Sequence, residues 1–104
     1  MVMALTEREF QNMIRDFALL HGWKYYSIPD SRLASMRGWP DAVFYSVDRG
    51  RILFVEFKSA RGLVRPEQVD TLDDLSHFGE AYIWRVGDEQ EAFAVLATPT
   101  TRRD

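Results

Sequence analysis

The stretch from Gly38 to Gly62, GWPDAVFYSVDRGRILFVEFKSARG, decides how this chain is read. Two runs rich in Val, Ile, Phe, Leu and Tyr flank Asp48-Arg49-Gly50-Arg51, a turn composition between two strand compositions. The pattern predicts a β-hairpin of strands 41–47 and 51–59. Three charged residues, Asp41, Glu56 and Lys58, stand inside runs that should build a core.

Alternation gives the anomaly a geometry. Successive strand side chains point to opposite faces. Ile52, Phe54, Glu56 and Lys58 therefore share one face, and Leu53, Val55 and Phe57 the other. A two- or four-residue loop centred on Arg49-Gly50 would set Val47 opposite Ile52, Val43 opposite Glu56 and Asp41 opposite Lys58. Facing residues of an antiparallel pair project to the same side. Asp41, Glu56 and Lys58 are thus expected on one surface, at the open end of the hairpin.

Two carboxylates this close need a proton, a cation or a basic neighbour. An oxygen-rich pair suits Mg²⁺ or Mn²⁺, ions that commonly take one or two carboxylates and keep several waters. Such an ion acidifies water for attack on phosphorus, and Lys58 could assist it or offset developing charge. The plainer alternative is a surface ion pair between Asp41 and Lys58, worth under about 1 kcal/mol, with Glu56 solvated.

Working outward, Thr6-Glu7-Arg8-Glu9 carries a capping-box signature, with Leu5 and Phe10 at the staple positions. Phe10, Met13, Ile14, Phe17 and Leu20 are predicted to face the core of a first helix ending at His21-Gly22. A strand is expected over residues 23–28, then a polar loop over 29–38 broken by Pro29-Asp30-Ser31-Arg32. After the hairpin, residues 60–65 form a second basic loop. Pro66 suits the first position of a second helix, whose apolar stripe would be Val69, Leu72, Leu75 and Phe78, with Gly79 as its stop. A strand over 81–86 follows. Asp88 is the expected cap of a last helix over 89–96, with Ala92, Phe93 and Leu96 inward. The order is α-β-β-β-α-β-α: an α/β fold with a small mixed sheet flanked by helices.

Composition bounds the rest. The 104 residues suit one domain, expected over residues 1–97 with a polar tail at 98–104. Being 46% hydrophobic, the chain can fill an ordinary core. No cysteine is present, which excludes disulfides, thiolate metal sites and cysteine nucleophiles. No apolar run approaches the ~18 residues of a membrane helix, and the first ten residues do not read as a signal peptide. A soluble intracellular protein is expected. No phosphate-cradling glycine loop, and hence no nucleotide cofactor, is evident. The net charge of −3 conceals an asymmetry: residues 32–65 carry seven Arg or Lys against three acids, a net of +4 that leaves −7 elsewhere. A local basic field on an acidic chain can steer a phosphate backbone.

Pro40-Asp41, then Glu56-Phe57-Lys58, resembles the PD-(D/E)xK motif of the restriction-endonuclease-like nucleases. Glu7 to Gln11, Gly22-Trp23, Asp30-Ser31-Arg32, Gly38 to Asp41, Glu56 to Ser59, Arg61-Gly62, Pro66-Glu67-Gln68 and Tyr82 to Arg85 follow in an order similar to stand-alone VRR-NUC proteins. Many of these are encoded by phages and prophages, so a bacterial cytoplasm is the expected location. The resemblance spans about residues 5–95.

It implies a Mg²⁺- or Mn²⁺-dependent DNA endonuclease. Asp41 and Glu56 would be metal ligands with the Phe57 carbonyl as a third, and Lys58 and Gln68 would be catalytic. It also implies an acid from the first helix. Glu9 is accounted for by the capping box, so Glu7 is preferred. Arg32, Arg37, Arg61 and Arg65 would grip phosphates on either side of the site. Trp39 could stack on a base or pack under its loop, and packing is favoured. Many relatives carry a His on the first strand where this chain has Ser27. His21 and His77 lie at helix ends and read as surface or capping residues. A chain this small has little surface for specifying a long sequence. The resemblance therefore points to branched DNA, such as a Holliday junction, cut by a homodimer. The alternative is a DNA-binding accessory module that keeps the nuclease fold with little catalysis.

Overall fold

A computed structural model of the chain describes residues 5–27 and 36–100. Seven elements follow in the expected order: α1 (Glu7–Leu20), β1 (Lys24–Ser27), β2 (Ala42–Ser46), β3 (Arg51–Lys58), α2 (Pro66–Leu75), β4 (Glu80–Arg85) and α3 (Glu89–Leu96). The strands form one sheet in the order β1-β2-β3-β4. β1, β2 and β3 are antiparallel neighbours, and β4 runs parallel to β3. A parallel pair needs a crossover, and α2 supplies it. Ile28 and most of the predicted 29–38 loop lie outside the described residues.

One face of the sheet carries the main core. Ala42 and Phe44 on β2, Leu53, Val55 and Phe57 on β3, and Trp84 on β4 meet Phe10, Ile14 and Ala18 of α1, and Ala92 and Leu96 of α3. Phe57 sits among rings, with Phe10, Phe44 and Trp84 centroids 5.7 to 6.4 Å away. Each such fully buried large side chain contributes roughly 1.5–3 kcal/mol. The other face of β3 and β4 lies under α2, where Leu72, Gln68 and Thr71 are the buried residues.

The start of α1 follows its sequence signature: Thr6 Oγ1 accepts from Glu9 N–H at 3.1 Å and Glu9 Oε1 accepts from Thr6 N–H at 2.9 Å. Its end is a Schellman cap, with Trp23 N–H donating to Ala18 O, Gly22 N–H to Leu19 O, and Gly22 at φ +87. Leu20, however, is exposed, and Ala18 takes the core position. Phe10, Ile14 and Ala18 define a stripe from which Leu20 is rotated aside.

The hairpin register differs from expectation. Ser46 pairs with Arg51, Phe44 with Leu53 and Ala42 with Val55, so Val43 faces Phe54 rather than Glu56. The turn is four residues long but comprises residues 47–50, one residue earlier than predicted. Ser46 Oγ accepts from Arg49 N–H at 3.2 Å, and Gly50, at φ +64, closes the turn in the left-handed region. The slip moves each partner by two residues. Side chains repeat every two, so the faces are preserved.

Two further expectations fail for stated reasons. In the predicted α2 stripe only Leu72 is buried; Val69 and Phe78 are exposed and Leu75 is half-buried. The helix is rolled so that Gln68 and Thr71 face inward, because Gln68 serves a buried carboxylate on β3. Asp88 precedes α3 but its side chain does not cap it. Asp88 Oδ2 accepts from Arg85 N–H at 2.8 Å, tying down the β4–α3 turn.

Candidate active site

Asp41 stands one residue before β2, after Pro40. Carrying the observed register one step past Ala42↔Val55 puts Asp41 beside Glu56, not Lys58. The contact that fixes it runs through its side chain: Phe57 N–H donates to Asp41 Oδ2 at 2.8 Å. The carboxylate thus extends the hairpin ladder where the main chain of β2 has ended.

Glu56 is only 2% exposed, among the most buried polar residues described. Its Oε2 accepts from Gln68 Nε2 at 2.8 Å and lies 3.2 Å from Lys58 Nζ. Its Oε1 is buried and has no hydrogen-bond partner among the described residues. The Asp41 carboxyl lies within hydrogen-bonding reach of the Glu56 carboxyl. Burial, and then the Asp41 charge, push the Glu56 carboxyl up to about 7, with Lys58 opposing. Burial also raises Asp41, against the Phe57 N–H and Lys58. A buried carboxylate oxygen without a donor, next to a second carboxylate, calls for a proton or a cation.

Gln68 is 5% exposed and reaches in two directions. Its Oε1 accepts from Arg65 N–H at 2.9 Å, closing the first turn of α2, while its amide faces Glu56. One side chain therefore locks the helix start to the buried carboxylate.

An open cleft of about 570 Å³ lies over these groups. Glu7, Asp41, Glu56, Lys58 and Gln68 all line it, as do Arg37 and Arg65. Glu9 is engaged in the capping box and does not line it. Arg37 and Arg65 both lean toward Glu67 Oε1, at 3.6 and 3.7 Å. Arg61 is exposed in the same loop as Arg65 but is not among the lining residues. Arg32 lies outside the described residues. Trp39 lines the cleft and packs edge-on against Phe54, with centroids 6.1 Å apart. Met36 and Leu63, which sequence patterning did not single out, also line it. A lone apolar residue in an arginine-rich loop carries no periodic signal. His21 caps α1, its Nδ1 2.8 Å from Phe17 O.

Backbone packing fixes the rim. Gly38, at φ +86, lies so close to α2 that a Cβ there would approach Glu67 O within 2.4 Å. In the 59–65 loop Gly62 N–H donates to Ser59 O at 3.2 Å, and the Arg85 guanidinium donates to the Gly62 carbonyl.

Among the described residues no three His, Asp or Glu side chains gather at one metal-sized point. Asp41 and Glu56 nevertheless make a donor set that fits Mg²⁺ or Mn²⁺, which use one or two carboxylates and fill the rest with water or substrate oxygens. The partnerless Glu56 Oε1 is the observation that favours this fit.

No protein-family model matches the chain, and no curated protein matches it. Among solved structures it is similar to Hjc of Archaeoglobus fulgidus, a Holliday junction resolvase from an archaeal hyperthermophile, at 21% identity and a TM-score of 0.50. The match covers 71% of this chain and 64% of that one, less than two thirds of the resolvase's length. The four-stranded mixed sheet with flanking helices is thus a restriction-endonuclease-like α/β fold of the kind the resolvase has.

Proposed function

We propose that the chain is a divalent-metal-dependent DNA endonuclease acting on branched DNA. The observation that carries the reading is the convergence of Asp41, Glu56 and Lys58 in one cleft, with a Glu56 oxygen buried and partnerless. That acceptor needs a proton or a cation, and a divalent ion beside Asp41 would meet the need. Structural likeness to a Holliday junction resolvase supports the choice of branched DNA, and the ordered motif set supports a VRR-NUC type of chain, phage- or prophage-encoded and acting in a bacterial cytoplasm.

Asp41 and Glu56, with the Phe57 carbonyl, would hold Mg²⁺ or Mn²⁺. When bound, the ion would supply charge neutralisation and an acidified water for phosphodiester hydrolysis. Lys58 stands beside Glu56 to offset charge developing on the phosphate and to move a proton. Gln68 orients Glu56, and Glu7 adds an acid on the cleft wall. Arg37 and Arg65 contact phosphates flanking the scissile bond, with Arg32 and Arg61 extending the grip. Two opposed cuts require two sites, which favours a homodimer.

The test is cleavage of supercoiled, linear and four-way-junction DNA with Mn²⁺, Mg²⁺ or EDTA. Wild type should cut with metal, and Asp41→Ala and Lys58→Ala should be at least about a hundredfold slower. Equal cutting by the variants would remove the site. Junction binding without cutting would favour the accessory-module alternative.

A further inference from the structure

The cleft that holds the carboxylates is polar and charged, yet its rim carries two bare apolar side chains. Leu63 is 87% exposed and Met36 is 50% exposed, and both line the cleft. A single exposed leucine needs no explanation. Two apolar tips on separate loops of one charged cleft are a different pattern, because each displays apolar surface where the arginines should make the rim wet.

The backbone near each tip is held. Met36 is two residues before Gly38, whose backbone is seated against the first turn of α2. Leu63 follows Gly62, which is held by Ser59 and by the Arg85 guanidinium. A Cβ on Gly62 would meet Ser59 Oγ at 2.9 Å, so that loop too is seated tightly. Each apolar tip also lies beside a cleft arginine, Met36 next to Arg37 and Leu63 two residues from Arg65. Exposed apolar side chains on held backbone, flanked by phosphate-binding cations, match a nucleic acid whose bases are unstacked: the cations hold the backbone and the apolar tips cover the exposed base faces. Intact duplex, with its bases stacked, offers those tips nothing to cover.

Resting on the nuclease reading above, we infer that Leu63 and Met36 form an apolar wedge against unstacked bases at a DNA branch point, and so discriminate branched DNA from duplex. Binding uses the arginines for either substrate. The wedge adds affinity only where bases are already open.

The experiment measures binding in EDTA, so that nothing is cut, to a four-way junction carrying 2-aminopurine beside the branch point and to a linear duplex of the same length. The proteins are wild type, Leu63→Ala, Met36→Ala and the double variant. Wild type should raise 2-aminopurine fluorescence on the junction. The double variant should lose that rise, and its junction-to-duplex affinity ratio should fall about tenfold, the scale of one leucine side chain taken out of water. Because Leu63 is so exposed, alanine there removes little internal packing, and unchanged thermal unfolding of Leu63→Ala separates a wedge from a fold defect. A double variant that keeps both the fluorescence rise and the affinity ratio overturns the wedge and leaves the nuclease reading standing. Wild type that binds neither DNA overturns both. Variants that change only self-association, with the fluorescence intact, overturn the wedge in favour of a contact between copies.

Discussion

Gln68 donates its side-chain amide to Glu56 Oε2 at 2.8 Å while its own oxygen accepts from Arg65 N–H at 2.9 Å. The residue therefore couples the start of α2 to the buried carboxylate of β3. This coupling explains why α2 turns two polar residues inward at the expense of Val69.

Removing that coupling should cost stability and disturb the site together. Gln68→Ala deprives a buried carboxylate of a donor and opens the first turn of α2, an expected loss of about 1–3 kcal/mol. Gln68→Glu keeps an acceptor for Arg65 N–H but brings another carboxylate up to Glu56. It should be less stable than Gln68→Ala at pH 8, with the gap closing at pH 5. Urea unfolding at the two pH values reads this out, and wild-type stability of Gln68→Glu at pH 8 would contradict the coupling.

Glu56 gives the pH dependence a definite sign. Its folded pKa is raised to about 7 from the ordinary glutamate value of 4.5, chiefly by burial. The folded state therefore binds more protons than the unfolded state between those values, and stability must fall as pH rises across that window. The group's contribution is fully present below pH 4.5 and lost once pH passes about 7. A shift of this size corresponds to a few kcal/mol. Thermal unfolding should show wild type losing stability from pH 5 to 8. Glu56→Gln should flatten that slope, and Mn²⁺ at pH 8 should restore much of the loss by taking the place of the proton. A flat wild-type profile would mean that Glu56 is ionised throughout.

Two glycines test how tightly the rim is held. Gly38 and Gly50 both have positive φ, +86 and +64. A Cβ on Gly50 meets nothing within 4 Å, whereas one on Gly38 would approach Glu67 O within 2.4 Å. Gly50→Ala should cost about 1 kcal/mol from backbone strain alone. Gly38→Ala adds a clash with main chain that cannot rotate away, and should cost about 3 kcal/mol or more. Denaturant unfolding of the pair measures the difference, and equal losses would show that the 36–38 segment can lift off α2.

Much of this was legible in the sequence, and what was not has a common cause. Local signals were sufficient for the capping box at Thr6 and Glu9, the glycine cap at Gly22 and the helix start at Pro66, because each depends on neighbours within four residues. The shared face of Glu56 and Lys58 followed from alternation alone, and Asp41 stayed on that face because the register was wrong by an even number. The roll of α2 was illegible. Its helical period allowed Val69 and Leu72 to face inward, and only the tertiary demand of Glu56 for a donor selects Gln68. Asp41 was placed opposite Lys58 because the turn was centred one residue too late, which shifts every partner by two. The chain enters β2 only after Pro40-Asp41, so Asp41 makes its contact with β3 through its side chain.

Charge counting within residues 32–65 could not tell which end of the sheet each arginine serves, and this separation is testable. Arg51 lies far from the cleft in function: its Nε donates to Glu80 Oε2 at 2.6 Å, its Nη1 to Thr98 Oγ1 at 2.7 Å, and its guanidinium sits 5.5 Å from the Trp23 ring centre. Arg49 joins it over the same ring and donates to Thr98 O. These two hold the segment after α3 onto the sheet. Arg65, by contrast, lines the cleft with its guanidinium 3.7 Å from Glu67. Arg51→Ala should lower stability by about 1–2 kcal/mol through lost charge-assisted hydrogen bonds and leave the salt dependence of DNA binding as it is in wild type. Arg65→Ala should barely change stability but weaken binding and reduce the slope of log affinity against log salt by about 1, the signature of one lost phosphate contact. Fluorescence anisotropy over a salt series, beside urea unfolding of both variants, separates the two roles. If Arg51→Ala reduced the salt slope as much as Arg65→Ala did, the DNA path would have to run over the Trp23 end of the sheet, and the cleft would no longer be its centre.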